Sequence, residues 1–154
     1  SLYLDPAKPS YPIVSSFRGS LHVVEETTRK LVLKNAAGRR VVVAFASDPD
    51  IAITEELASG PRGVVSIEIK GGTDVSNIHN RIGEAEKSHQ KARSQGFFEF
   101  WTILGANVEP GIARKESPTT SRFFYLPRLR DPRSKEYANF RDHLQSVVGI
   151  KTSK

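Results

Sequence analysis

The 154-residue chain has a formal net charge of +6, a hydrophobic fraction of 38%, and no cysteine or methionine. This length and composition predict one globular domain and exclude a disulfide framework, a thiolate metal site and a cysteine nucleophile. No apolar run approaches the roughly 20 residues of a membrane-spanning helix, and no secretory signal pattern opens the chain, so we expect a cytoplasmic protein without membrane contact. Because methionine is absent even at residue 1, we expect a piece of a longer protein.

The positive charge is concentrated in the C-terminal part of the chain. Residues 1–110 carry thirteen basic and thirteen acidic residues, whereas residues 111–154 carry ten basic and four acidic residues. A basic end of a domain suits binding to a polyanion such as nucleic acid. A solvated basic surface that maintains solubility explains the charge equally well.

The first half of the chain predicts an extended arm over residues 1–19, then a helix and strands. Leu21, Val24, Thr28, Leu31 and Val32 recur at helical spacing, which predicts a helix from about Ser20 to Asn35 that ends at Gly38. Runs of β-branched residues predict the strands that follow. These strands are Arg40–Ser47, Ile51–Thr54 and Val64–Lys70, interrupted by Asp48-Pro49-Asp50 and by a turn over Ser59–Gly63.

The second half predicts helices that alternate with strands. A helix capped by Asp74 or Ser76 extends to about residue 95, with an apolar side and a polar side. The later predictions are a strand at Phe97–Leu104, a Pro- and Gly-containing loop at Glu109–Thr120, a strand at Arg122–Leu126 and a helix at Ser134–Val148. This order predicts an α/β fold with one mixed central sheet flanked by helices, residues 20–154 forming one domain with a basic C-terminal strand-helix extension.

Two short motifs have residue types suited to catalysis. Pro49-Asp50 is the only Pro-Asp pair in the chain, and Glu68-Ile69-Lys70 is the only place where an acid precedes lysine by two positions. Because side chains alternate along a strand, Glu68 and Lys70 share one face. Burying them requires a partner, and a Mg²⁺ ion held by Asp50 and Glu68 is one candidate. Alternatively, Asp50 is a turn residue and the other two form a solvated ion pair.

These motifs resemble the signature of the PD-(D/E)XK nucleases, and the element order is similar to that fold from roughly residue 20 to 105. More narrowly, Ile67–Ala92 (IEIKGGTDVSNIHNRIGEAEKSHQKA) and the following FWTIL strand resemble the XcyI-type type II restriction endonucleases. The resemblance implies Mg²⁺-dependent cleavage of double-stranded DNA in a prokaryotic cytoplasm, 5′-phosphate products and a GC-rich palindromic target of the CCCGGG kind. Family members are longer than this chain.

The motifs and the resemblance together predict hydrolysis of DNA by a metal-activated water. Asp50 and Glu68 would bind Mg²⁺ with the Ile69 carbonyl, and Lys70 would position the nucleophile. Glu25 is a candidate further acid because it shares the sheet-facing side of the first predicted helix. Cleaving both strands of a palindrome would require a symmetric homodimer or two nicking events.

Polar and basic side chains after the lysine strand are candidates for DNA contact, since they suit base edges and phosphates. They are Asn77, His79, Asn80, Arg81, Lys87, Lys91, Arg128 and Arg130. The alternative is a solvated helix face with internal ion pairs.

Two other functions stay open. One is the same fold acting on branched or damaged DNA, as a junction or repair nuclease. The other is a DNA-binding module without catalysis, which Mg²⁺ and loss of Glu68 would leave unchanged. A structural protein with no nucleic-acid role would leave the acid and lysine on one strand unexplained.

Overall fold

In the computed structural model, which describes residues 21–149, seven strands form one mixed sheet in the order of the sequence. Strands β1 to β5 are antiparallel neighbours, and β6 and β7 continue the sheet in parallel. The predicted mixed α/β sheet is therefore confirmed. The strands are β1 Leu21–Glu26, β2 Lys30–Asn35, β3 Arg40–Phe45, β4 Ile51–Leu57, β5 Gly60–Lys70, β6 Glu99–Leu104 and β7 Arg122–Tyr125.

Four α-helices follow β5 and flank the sheet. They are α1 Ile78–Ser94, α2 Pro110–Glu116, α3 Leu126–Leu129 and α4 Lys135–Val147, with a 3₁₀ turn at Val75–Asn77 before α1. The Asp74 carboxylate accepts a hydrogen bond from Ser76 N–H at the 3₁₀ turn, and Ser134 caps α4 by accepting from Tyr137 N–H. Within residues 21–149, no helix has the length and apolar character needed to cross a membrane.

The predicted first helix is wrong, because residues 21–35 form the hairpin β1–β2. Leu31, Val32 and Leu33 are all buried, and they pair with consecutive residues of β3. Three consecutive apolar residues, one of them β-branched, pack well in a strand of a sheet that is covered on both faces. In a helix with one buried side, three consecutive residues could not all be buried. The predicted arm at residues 1–19, and Ser20, lie outside the described residues.

The predicted loop at Glu109–Thr120 is also wrong in part, because it contains α2. Pro110 occupies the first turn of this helix, where its missing N–H costs nothing. The Glu109 carboxylate accepts hydrogen bonds from Gly111 N–H and Ile112 N–H, both at 3.2 Å. A smaller difference concerns β5, which begins at Gly60 (φ 117°), inside the predicted turn.

The two faces of β5 and β6 differ in character. We call the side that carries Val65, Ile67 and Trp101 the apolar face; α4 packs there through Leu144. We call the side that carries Ser66, Glu68 and Thr102 the polar face, since these buried residues alternate with the first set. Helix α1 covers the polar face, and Ile78 and Ile82 of α1 join Leu104, Ala106 and Ala113 in a smaller apolar cluster.

The carboxyl ends of β5 and β6 meet at one edge of the sheet. Gly105 N–H donates to the Lys70 carbonyl at 2.8 Å. A Cβ on Gly105 would lie 2.3 Å from the Gly71 carbonyl oxygen, so only glycine allows this close approach. The glycines therefore fix the backbone immediately after Lys70.

Candidate active site

The pairing of β4 with β5 brings Asp50 and Glu68 together. Ile51 pairs with Ile67, so Asp50, one residue before β4, lies across from Glu68 on the polar face. The Asp50 Oδ2 atom accepts a hydrogen bond of 2.7 Å from Ile69 N–H. Two motifs that are separated in sequence are thus joined by one direct contact.

Glu68 is a buried carboxylate with only one of its oxygens paired. The residue is 1% exposed, and its Oε2 lies 3.3 Å from Lys70 Nζ. Its Oε1 is buried without a hydrogen-bond partner in the described part of the chain. Burial, and then the negative charge of Asp50, raise the pKa of Glu68, while Lys70 and Ser88 act in the opposite direction. The site therefore has negative charge that its own cation does not fully compensate.

The oxygens at this site fit a hard divalent cation. Asp50 Oδ2 is engaged by Ile69 and Glu68 Oε2 by Lys70, which leaves one oxygen of each carboxylate for a ligand. Within residues 21–149, no group of three or more His, Cys, Asp or Glu side chains could hold a metal ion. A cation here would thus have two protein carboxylates, and main-chain carbonyl, water or phosphate oxygens would complete its shell, as Mg²⁺ commonly requires.

Lys70 lies beside the carboxylates rather than out in solvent. Its side chain is 17% exposed, and its ammonium contacts Glu68 Oε2. An ammonium in this position can donate a hydrogen bond to a water or a phosphate oxygen next to the paired acids. The predicted shared face of Glu68 and Lys70 is confirmed by this contact.

Helix α1 contacts the same site through a residue that sequence reasoning missed. Asp48, two positions before Asp50, accepts from Lys91 Nζ at 2.5 Å and from Ser88 Oγ at 3.4 Å. The pKa of Asp48 is lowered, chiefly by the hydrogen bond from Lys91 and against the effect of desolvation. The signal available in the sequence was a second acid in the Asp48-Pro49-Asp50 segment.

A buried chain of polar side chains lies beneath α1. The His89 ring contacts Ser66 Oγ at 3.3 Å through Nδ1 and Thr102 Oγ1 at 2.9 Å through Nε2. Thr102 Oγ1 continues to Thr120 Oγ1 at 2.8 Å, and Thr120 to Ser117 Oγ at 2.7 Å. Burial, followed by the charge of Lys70, lowers the pKa of His89 to about 4, so the ring is neutral at pH 7. Thr102 is the β6 partner of Glu68, which places this chain next to the carboxylate.

Glu25 is not brought to this site. It lies on β1, at the far edge of the sheet from β5, where its carboxylate is 3.8 Å from Lys30 Nζ. The helix that motivated its selection is a strand, so the reason for assigning it a role no longer holds.

The predicted DNA-contact residues fall into two groups. Some have partners within the chain: His79 contacts Glu116 at 2.5 Å, Asn80 donates to Asn77 at 3.1 Å, and Lys91 contacts Asp48. Among the others, the Arg81 guanidinium lies against Gly72, the Arg128 guanidinium lies 5.7 Å from the Tyr125 ring centre, and Lys87 and Arg130 are exposed. The second group has cationic groups that a polyanion can reach.

The mixed sheet with paired carboxylates and a lysine at one edge is the arrangement of a restriction-endonuclease-like fold. A family model described as XcyI restriction endonuclease matches residues 19–151, and the chain belongs to this family. It is 48% identical over 132 residues to the type II restriction enzyme Cfr9I of Citrobacter freundii. It is 50% identical over 132 residues to the type II restriction enzyme XcyI of Xanthomonas campestris pv. cyanopsidis.

The matched region is a larger part of this chain than of its relatives. In both comparisons it covers 84% of this chain and 40% of the relative, so the chain spans about two fifths of the length of the curated relatives it matches. No solved structure gives a significant match.

Proposed function

We propose that this chain carries the catalytic site of a Mg²⁺-dependent, site-specific endonuclease that hydrolyses phosphodiester bonds of double-stranded DNA. The observation that carries the proposal is Glu68, a buried carboxylate with an unpaired oxygen, placed next to Asp50 and in contact with Lys70. The names of the two relatives, both type II restriction enzymes, support the same reaction class. Enzymes of that class generally use divalent metal ions.

Each residue of the proposed site has a distinct role. Asp50 and Glu68 would hold the cation, with the Ile69 carbonyl as a further ligand. When bound, the cation supplies Lewis-acid stabilisation of negative charge on the scissile phosphate. Lys70 would orient the attacking water by hydrogen bonding and offset the charge that develops in the transition state. Ile69 N–H keeps the Asp50 carboxylate aligned for this task.

The substrate and assembly follow from the same proposal. A GC-rich palindrome of the CCCGGG kind would be cut by two copies of the protein related by a twofold axis. The duplex would be held by the exposed cations Lys87, Arg128 and Arg130 and by the half-buried Arg81. A restriction enzyme meets its substrate in the prokaryotic cytoplasm.

The test is cleavage of a supercoiled plasmid with and without Mg²⁺. We expect the native chain to give discrete fragments, and we expect EDTA, Glu68→Ala or Lys70→Ala to abolish them. Glu25→Ala is a control at an acid remote from the site, and it should cut like the native chain.

Two results would contradict the proposal. If Glu68→Ala and Lys70→Ala still cut, the site is elsewhere in the molecule. If the native chain binds DNA in Ca²⁺ but never cuts in Mg²⁺, the chain is a DNA-binding module and the catalytic part of the proposal is wrong.

A further inference from the structure

The segment that carries Asp50 is only partly held by the sheet. Asp50 lies just outside β4, and among the described residues its main chain is held by one hydrogen bond, from Ala46 N–H to the Asp50 carbonyl at 3.0 Å. Within residues 21–149, its carboxylate accepts from one main-chain donor, Ile69 N–H. A carboxylate at the end of such a segment needs another constraint to stay in a productive position.

Helix α1 supplies this constraint through Asp48. Lys91 and Ser88 lie three positions apart, on one side of α1, and both contact the Asp48 carboxylate. Ser88 also lowers the pKa of Glu68, and Lys70 lowers the pKa of Asp48. The two carboxylates therefore lie close to the same serine and lysine side chains. Asp48 therefore connects the segment before β4 to the helix that covers Glu68.

We infer that Asp48 is a positioning residue, which Lys91 clamps to α1 so that Asp50 is held opposite Glu68. The inference rests on the proposed function, and it assigns Lys91 to the protein rather than to DNA. Both partners are partly exposed, 59% for the Lys91 side chain and 42% for that of Asp48, so the pair contributes little to folding. Its effect is on local geometry, which an exposed ion pair can fix without adding much stability.

The first experiment measures hydrogen exchange at the Ile69 amide, which reports the position of Asp50 without DNA or metal. The variants are Asp48→Ala, Lys91→Met and the double variant. We expect each single variant to speed Ile69 exchange several-fold and the double variant to exchange no faster than either single variant, since one interaction is lost in all three. Unchanged exchange in both single variants would overturn the inference.

The matched control is the exposed pair Arg40–Glu56, which has a 2.8 Å contact and similar exposure, 45% and 42%. Glu56→Ala should leave Ile69 exchange as in the native chain. All the variants should keep their unfolding temperature within about 2 °C of the native value. Faster Ile69 exchange in Glu56→Ala would also overturn the inference, since any lost surface ion pair would then loosen the site.

The second experiment separates positioning from DNA contact. In single-turnover cleavage with Mg²⁺, Asp48→Ala and Lys91→Met should each lower the rate constant about tenfold, as loss of a supporting residue commonly does. DNA affinity in Ca²⁺ should stay within about twofold of the native value for both. If Lys91→Met weakens DNA binding while Asp48→Ala cuts at the native rate, Lys91 contacts DNA and the inferred role of Asp48 is wrong. If the native chain cuts nothing, the proposed function fails, and the exchange experiment still decides the clamp.

Discussion

The two faces of β5 differ although their residues alternate along one strand. On the apolar face, Val65 and Ile67 are fully buried against Trp101, whose ring meets Phe124 and Phe140 edge-on at 5.8 and 5.7 Å. On the polar face, Ser66 and Glu68 are equally buried but meet hydroxyls, an imidazole and another carboxylate. Burial alone therefore does not show which residues of this strand stabilise the fold and which belong to the proposed site. The distinction lies in what each buried side chain contacts.

The polar face has an energetic cost that the apolar face offsets. A buried carboxylate whose pKa is raised is less stable when ionised in the folded state than in water. The ring packing on the opposite side gains free energy from apolar burial and edge-to-face contacts. Substitutions that act on one face only can test this division.

The largest effect is expected for Glu68→Gln. DNA cleavage should fall at least about 10³-fold, or about 4 kcal/mol, because a ligand of the proposed cation is lost. The free energy of unfolding at pH 7 should rise, because the native carboxylate is disfavoured by burial and by Asp50. Cleavage assays and urea unfolding measure the two quantities.

The matched control for this prediction is Glu55, another buried acid. Hydrogen bonds from Arg39, together with Arg62, lower the pKa of Glu55. Glu55→Gln should therefore lower the free energy of unfolding and leave cleavage unchanged. The division between faces is contradicted if Glu68→Gln destabilises the protein as Glu55→Gln does.

The second effect concerns the apolar face. Leu144→Ala leaves a cavity between α4 and the sheet, and it should lower the free energy of unfolding by about 3 kcal/mol. Urea unfolding measures this loss, and single-turnover cleavage of the folded fraction should be unchanged. The exposed Leu57 is the control, and Leu57→Ala should change stability by no more than about 0.5 kcal/mol. Loss of cleavage in folded Leu144→Ala would show that the faces are coupled.

The third effect is a pH dependence from His89. Its pKa is about 4 in the folded chain and about 6.5 when unfolded, so the unfolded state binds more protons at acid pH. This contribution lowers stability as the pH falls from 6.5 towards 4, by about 2 kcal/mol between pH 7 and pH 5. Urea unfolding of the native chain and His89→Gln at both pH values isolates it, because other titrating groups cancel. Equal pH slopes in the two proteins would contradict the neutral buried imidazole.

The smallest effect is expected for Thr102→Val. The substitution removes the hydroxyl between His89 and Thr120 at nearly constant volume, and it should cost about 1–2 kcal/mol of stability. Thr28→Val, at an exposed turn residue, is the control for the threonine-to-valine change. Thermal or urea unfolding at pH 7 measures both. A neutral Thr102→Val would mean that the buried polar chain adds nothing to the fold.

Sequence patterns correctly predicted the elements whose residue spacing fits only one type of secondary structure. The alternation at Glu68 and Lys70 could only place both on one face of a strand, and the structure confirms the predicted helix start at Ser134. Asp74, predicted with Ser76 as a possible cap, caps the 3₁₀ turn that precedes α1. The spacing at Leu21–Val32 was ambiguous, because four apolar residues and Thr28 fit a helix while the run at Leu31–Leu33 fits a buried strand.

Contacts across long sequence separations could not be predicted from local patterns. Asp48 meets Lys91 only because the β5–α1–β6 crossover sets α1 over the polar face. The buried polar chain at His89 was not predicted, because the partners of its ring, Ser66 and Thr102, come from two different strands. Such contacts depend on the order and register of the strands. Neither can be read from the spacing of residues in a single sequence.

The strand order also has a consequence for how the chain folds during its synthesis. Strands β1 to β5 are joined by consecutive hairpins, so their contacts are local and can form as soon as residue 70 leaves the ribosome. The parallel pairing with β6 requires the whole crossover and forms later. We therefore expect the carboxylates to meet before their supporting helix has been made.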